Sequence, residues 1–238
     1  MRTRLVIMVI VLAATTGAVG IVVLLAATLG WVGLLLAAFG IVAVAGGYRL
    51  WIQPWQHRWG ATADEVRRAM PGDHLILDAA TTTRAIGIRA PAEAVWPWLV
   101  QLGYGRGGWY SYDWIDNDGQ PSADHIIPEL QRLQVGDQIL MLPDMGPRVR
   151  EVGPNRYFVA GDQEGGTWCL ALYPTTGGCR LVSRWRLDWP LTPATALWIL
   201  LSDPGAFIME RKMLKGIKAR AEATVRSGER RVLSKAGS

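Results

Sequence analysis

Between Leu5 and Tyr48 the chain has no Asp, Glu, Lys, Arg or His. That absence runs for about 44 residues, where a single membrane span needs roughly 20. It therefore fits two spans and a tight turn, the first near Leu5 to Leu29 and the second near Trp31 to Ile52, with the glycines of Gly30-Trp31-Val32-Gly33 at the reversal. Arg2 and Arg4 ahead of the run, and Ala43-Val44-Ala45 near its end, have the look of a signal peptide. Signal cores, however, are only about 7–15 residues long.

Histidine is also scarce: His57, His74 and His125 are the whole set among 238 residues. No Ser-His-Asp or Cys-His arrangement can be assembled from them, and a lone His125 near Asp113, Asp116, Asp118, Asp124 and Glu129 offers no zinc set. A calcium loop needs glycine at its sixth position, whereas Asp116-Asn117-Asp118-Gly119 has it fourth. Turn and cap chemistry accounts for Asp and Asn there. No metal and no cofactor is expected.

What is present around the apolar run sets an orientation. Arg2 and Arg4 precede the first span, Arg49 and Arg58 follow the second, and the turn has no basic residue. Both termini and the soluble part are thus expected on the cytoplasmic side of a cell membrane crossed twice. Tyr48, Trp51, Trp55 and Trp59 suit the headgroup layer, and Pro54 is expected to break the second helix. In a cytoplasmic setting a disulfide framework is not expected. Cys169 and Cys179 read as reduced packing residues; if Tyr173 pairs with Cys179, Cys169 faces Ser183.

The formal charge of +5 is C-terminal, since residues 211–238 hold nine Lys or Arg against two Glu. That tail has no aromatic residue to stack on bases, so nucleic acid is not an expected partner. Anionic lipid headgroups are the nearer candidates, with a solvated charged helix face as the plain alternative.

Past the membrane, Thr62 and Glu65 have capping-box spacing, opening a short helix that stops at Pro71-Gly72. A strand is expected over Thr81 to Arg89, then a helix from Ala90-Pro91. Strand-like runs follow at Gln138 to Leu142, Arg148 to Val152, Tyr157 to Gly161, Thr167 to Tyr173 and Cys179 to Trp189. Asp203-Pro204-Gly205 opens a last helix from about Ala206 to Arg226. The expected divisions are a hairpin over 1–52, a connector over 53–80, a domain over 81–226 and a basic disordered tail over 227–238. The order of elements is that of an α+β helix-grip fold, an antiparallel sheet around a long C-terminal helix.

Several segments carry a resemblance: Trp59-Gly-Ala-Thr62-Ala-Asp-Glu65-Val66, Pro71-Gly72-Asp73, Ala90-Pro91-Ala-Glu93-Ala-Val95-Trp96-Pro97-Trp98-Leu99, Gly105-Arg106-Gly107-Gly108-Trp109-Tyr110-Ser111-Tyr112-Asp113-Trp114 and Met209-Glu210-Arg211-Lys212-Met213-Leu214. Over residues 59–224 the chain resembles bacterial SRPBCC proteins, a superfamily that includes START-type lipid carriers, pollen-allergen-like proteins and polyketide cyclases. The resemblance implies a helix-grip domain with a pocket for an apolar or aromatic small molecule.

The residues can be set against that implication. At about 100° per residue, Phe207, Leu214, Ile217 and Ala221 share one face of the last helix, with Met213 at its edge and Glu210 in its middle. A carboxylate there needs a partner or a wet cavity. It either fixes the helix register or reads a ligand. Alternation puts Leu181, Ser183, Trp185, Leu187 and Trp189 toward the helix and leaves Arg184 and Arg186 on the surface, poor partners for Glu210. Trp168, Leu170 and Leu172 form a second inward row. Gly103-Tyr-Gly105-Arg-Gly107-Gly108 fits G-x-G-x-x-G but follows a helix, not a strand, which argues against a dinucleotide. Those glycines lead into Trp109, Tyr110, Tyr112, Asp113 and Trp114, which either form the mouth of a pocket or plug the core. Candidate ligand-binding residues are therefore Trp109, Tyr110, Tyr112, Asp113, Trp114, Trp168, Trp185, Glu210 and Leu214. The leading expectation is a membrane-anchored binder or carrier of a hydrophobic small molecule or lipid. A cyclase- or hydrolase-type enzyme and a structural or regulatory membrane module are the alternatives.

Overall fold

The computed structural model describes residues 2–162, 165–188 and 192–236. The apolar N-terminal run is helix α1 (Arg2–Gly47), interrupted at Gly30, whose φ of 59° and ψ of −135° leave the helical region. A Cβ added at Gly33 would collide with the Leu25 carbonyl, so the two limbs approach each other closely just beyond the break. The far end of the first limb meets the soluble part, where Arg4 pairs with Asp144.

The second limb does not stop at Pro54. A π-helical turn over Tyr48–Ile52 leads into α2 (Gln53–His57), which places Pro54 in a first turn. There its missing N–H has little to lose. The capping box forms as expected: Thr62 Oγ1 accepts from the Glu65 amide and Glu65 Oε2 from the Thr62 amide, opening α3 (Ala63–Arg67).

Five strands follow: β1 (Ala80–Ile88), β2 (Val149–Gly153), β3 (Tyr157–Asp162), β4 (Gly166–Thr175) and β5 (Gly178–Leu187). They form one antiparallel sheet in the order β1-β5-β4-β3-β2. Helix α4 (Ala92–Val100) follows β1, and α5 (Asp113–Asp116) is a single turn. The expected strand over Gln138 to Leu142 is reduced to isolated bridges, Gln138 to Arg148 and Leu142 to Met145. Pro143 and Pro147, which donate no ladder hydrogen bond, bracket its turn.

Helix α6 (Pro193–Ala236) is longer at both ends than the expected 206–226. Asp203-Pro204-Gly205 lies inside it rather than opening it, because the Asp203 carboxylate accepts bonds from Tyr48, Gln53 and His57 instead of capping a helix. Phe207, Met213, Leu214, Ile217 and Ala221 are buried, and α6 joins α4 and the inner row Phe158, Trp168, Leu170 and Leu181 in one core. This is the α+β helix-grip arrangement. Cys179 packs in that core.

The opposite face of the sheet is covered too. Met70, Ala85, Val159, Cys169, Ala171 and Val182 form a second cluster under the segment expected to be only a connector. In the observed register Cys179 pairs with Pro174, so Cys169 lies across from Arg184, one place off the expectation. Both cysteines are free and buried. Arg184 faces outward as alternation requires, yet it is 3% exposed. Its guanidinium donates to Thr83 Oγ1 and to the carbonyls of Glu65, Val66 and Arg68, and it pairs with Asp73 at 2.7 Å. The surface placement is corrected: 62–76 folds over it. Trp189 falls outside the described residues.

Candidate functional site

Between α6 and the inner face of the sheet lies a cavity of about 410 Å³. Thr82 and Arg84 of β1, Trp168 of β4, and Trp185 and Leu187 of β5 line one side; Ser202, Asp203, Ala206, Met209, Glu210 and Met213 of α6 line the other. Trp109, Ser111 and Asp116 close one end. Trp168 and Trp185 stack with centroids 5.1 Å apart and planes at 12°, and Trp109 leans on Trp168 at 5.9 Å. Three tryptophans, three methionines and three aliphatic residues thus supply an apolar wall into which seven polar or charged residues are set, a combination suited to a small-molecule pocket.

The nine sequence-chosen residues divide cleanly. Trp109, Trp168, Trp185 and Glu210 are brought together on the cavity wall. Leu214 is wholly buried in the core. Tyr110 is also a core residue: its hydroxyl donates to the Trp98 carbonyl, and the Arg220 guanidinium lies 4.4 Å from its ring centroid. Burial pushes that phenol up to about 12. Asp113 accepts from the Ser122 amide and hydroxyl, Tyr112 lies beneath Lys212, and Trp114 is 55% exposed. The aromatic segment therefore splits: its first residue reaches the cavity, and the rest plug, brace or face out. His125 is exposed and bonded to Asp124, away from the wall.

Glu210 has partners the sequence did not reveal. Oε2 pairs with the Arg84 guanidinium, and Oε1 accepts from Ser183 Oγ at 2.5 Å. Ser183 in turn accepts from Trp168 Nε1 at 2.9 Å. Arg84 donates to the Gln56 carbonyl at 2.9 Å and lies 3.8 Å from Asp203. Asp203 Oδ2 accepts from Tyr48, Gln53 and His57 at 2.8, 3.0 and 2.8 Å. Burial opposes the charge on Asp203, but hydrogen bonds from His57 and Gln53 outweigh it and bring the carboxyl down to about 2. One polar chain thus runs from the π-helical turn and α2 through Asp203 and Arg84 to Glu210, Ser183 and Trp168.

Arg84 was legible in principle, because alternation puts it with Thr82 on the face opposite Thr83 and Ala85, and β1 pairs it with Ser183. Asp203 was hidden by its resemblance to a helix opener. Asp116 was hidden by turn chemistry: it is 4% exposed, lies on the cavity wall, and neither carboxylate oxygen has a hydrogen-bond partner. Burial first, and then the charge of Asp113, pushes its carboxyl up to about 6. No cluster of metal-ligating side chains occurs among the described residues.

No protein-family model matches the chain, and no curated protein matches it. Among solved structures it is similar to protein SSP2350 from Staphylococcus saprophyticus, at 12% identity over 60% of this chain and 92% of that one, with a TM-score of 0.39. The Polyketide_cyc-like protein Cgl2372 from Corynebacterium glutamicum matches at 17% identity over 66% and 96%, with a TM-score of 0.36. The KanY protein matches at 10% over 61% and 99%, with a TM-score of 0.38.

Proposed function

We propose that this protein is a membrane-anchored binder or carrier that takes a hydrophobic small molecule or lipid into the cavity beneath α6. The observation that carries the reading is the cavity itself, about 410 Å³ walled by Trp109, Trp168, Trp185 and three methionines. Two of its charged lining groups, Arg84 and Glu210, satisfy each other, so the apolar surface and the one unpartnered lining acid, Asp116, are what remain to recognise an occupant. The resemblance of residues 59–224 to SRPBCC proteins implies the same use of the fold.

Anchoring rests on α1. The stretch Arg4–His57 contains an 18-residue window of mean hydropathy 2.6 with none of it buried in the protein. Folded back at Gly30, it crosses the bilayer twice and returns the chain to the cytoplasmic side, beside anionic lipid headgroups. Cavity-lining Ile199, Ser202 and Ala206 alternate along α6 with exposed Trp198, Leu201 and Ile208. Exposed Trp55 of α2 packs edge-on to Phe207 of α6. This apolar surface next to the juxtamembrane turn gives a lipid-borne ligand a short route to the cavity.

An enzyme would need ionisable groups free to act inside the cavity. Of the lining carboxylates, Glu210 and Asp203 are engaged by protein donors, and Asp116 has no second free ionisable group among the described lining residues to work with, which favours binding over chemistry. The test is native mass spectrometry of the full chain released from membranes with its lipids. An apolar adduct is expected on the wild type and should be lost from Met209→Trp, which narrows the cavity. A wild type without adduct, or an equal adduct on a folded Met209→Trp, overturns the reading.

A further inference from the structure

Asp116 stands apart from the other acids of the cavity. It ends the single turn α5, is only 4% exposed, and lies on the wall beside Trp109 and Ser111. Both of its oxygens are buried without a partner. The nearby hydroxyl is committed, since Ser111 Oγ donates to the Met209 carbonyl at 3.1 Å. Glu210 and Asp203, by contrast, are engaged by Arg84, Ser183, Tyr48, Gln53 and His57. Buried polar groups in folded proteins are nearly always hydrogen-bonded, so an orphaned pair of acceptors on a cavity-lining residue, closed to water while the cavity is empty, marks where an occupant that shifts the wall supplies the donor.

The charge around the cavity narrows the occupant's chemistry. Its described lining residues include three carboxylates, Asp116, Asp203 and Glu210, and one guanidinium, Arg84, which is taken by Glu210 and the Gln56 carbonyl and lies near Asp203. A carboxylate or phosphate head group would meet Asp116 with no free cation among them to offset the repulsion. An alcohol or an amine would meet it with the donor it lacks.

We propose that Asp116 is the polar anchor of the cavity, accepting a hydrogen bond from the hydroxyl or amine of an otherwise apolar ligand. This rests on the cavity being a binding site, as proposed above. The apolar body then lies along Trp109, Trp168 and Trp185, and fatty acids are disfavoured.

The experiment uses the full-length protein in nanodiscs and four probes of equal chain length: decane, 1-decanol, decylamine and decanoic acid. Occupancy is read by native mass spectrometry and by the emission of the cavity tryptophans. The wild type should prefer decylamine and decanol to decane by tenfold or more and take decanoic acid least. Asp116→Leu should abolish the head-group preference while decane binding holds or improves. Asp116→Asn, which keeps the size and one acceptor, should lose most of the amine preference and retain part of the alcohol's, separating the two head groups. Head-group selectivity unchanged in either folded variant means that trapped water satisfies Asp116, and the anchor is wrong while the binding reading survives. Tightest binding of decanoic acid also overturns the anchor. Failure of the wild type to bind any of the four overturns the binding reading itself.

Discussion

Two arginines on the adjacent strands β1 and β5 are equally buried, Arg84 and Arg184 each being 3% exposed, and they point to opposite faces of one sheet. Arg184 on the outer face is held by three backbone carbonyls, Thr83 and Asp73, all from β1 or the segment laid over the sheet. Arg84 on the inner face is held by Glu210 of α6 and the Gln56 carbonyl of α2, with Asp203 close by. The first ties a loop to a sheet. The second joins α2, the long helix and the cavity wall at a single side chain. The same residue type in the same burial thus serves as a clamp on one face and as a junction on the other, and its partners decide which.

Removing the clamp should have the largest effect. Arg184→Met leaves Asp73 short of its ion pair and three carbonyls short of a donor, and losing one side of a buried pair typically costs about 3–5 kcal/mol. Chemical denaturation should show that loss, with ligand content unchanged in the protein that remains folded. Arg84→Met should be comparably destabilising, because it leaves the Glu210 charge without its cation and with the Ser183 hydroxyl as its remaining donor. Here the comparison can be sharpened: Arg84→Met combined with Glu210→Leu removes both charges and should recover much of the loss, since well-packed apolar replacements of buried pairs are often neutral. If the double variant is as unstable as the single, Arg84 is held mainly by Gln56 of α2 and Asp203 of α6, and the junction is not at Glu210.

The acids of the inner face separate by pH. Asp116, with its carboxyl raised to about 6 by burial and then by Asp113, favours the folded state when protonated. Its contribution is fully present below about pH 4 and is lost as pH rises through 6, a change of roughly 2–3 kcal/mol. Asp203 has the opposite sign: lowered to about 2, it contributes stability above its ordinary range near 4 that is lost as pH falls toward 2. Denaturation midpoints measured from pH 4 to 8 should therefore fall in the wild type and flatten in Asp116→Asn. A wild-type slope retained in Asp116→Asn assigns the titration to another group.

Period and punctuation made much of this fold legible. All five strands, β1 to β5, came from runs bounded by turn residues, and the helical wheel turned Glu210 inward before any partner was known. What stayed hidden is what depends on the rest of the chain. Arg184 was assigned the correct face, but no local pattern tells that 62–76 returns to bury it. Asp203-Pro204-Gly205 has the local chemistry of a helix start, and only the arrival of Tyr48, Gln53 and His57 makes Asp203 an acceptor for distant donors instead. At the site, Trp168 and Trp185 were reachable by alternation because strands have a fixed period of two. The loop from Gly103 to Asp118 has no period, so Tyr110 and Asp116, one a core plug and the other a cavity wall, could not be told from their neighbours.

Glu210→Gln gives the smallest expected effect and tests the junction most finely. The amide keeps the size of the side chain and one carbonyl oxygen, which can still accept from Arg84. Its NH₂ then faces Ser183 Oγ, which donates to Glu210 in the wild type. Ser183 already accepts from Trp168 Nε1, but a hydroxyl oxygen has a second lone pair, so the amide can donate to it while the hydroxyl proton loses its acceptor. The exchange therefore costs one charge-assisted bond and leaves Arg84 with Asp203 as the nearest carboxylate, at 3.8 Å. A loss of about 1–2 kcal/mol is expected, with ligand content unchanged, as a register-fixing carboxylate requires. If stability holds but ligand is lost, Glu210 reads the ligand itself, and the inner arginine is part of the binding wall rather than a junction behind it.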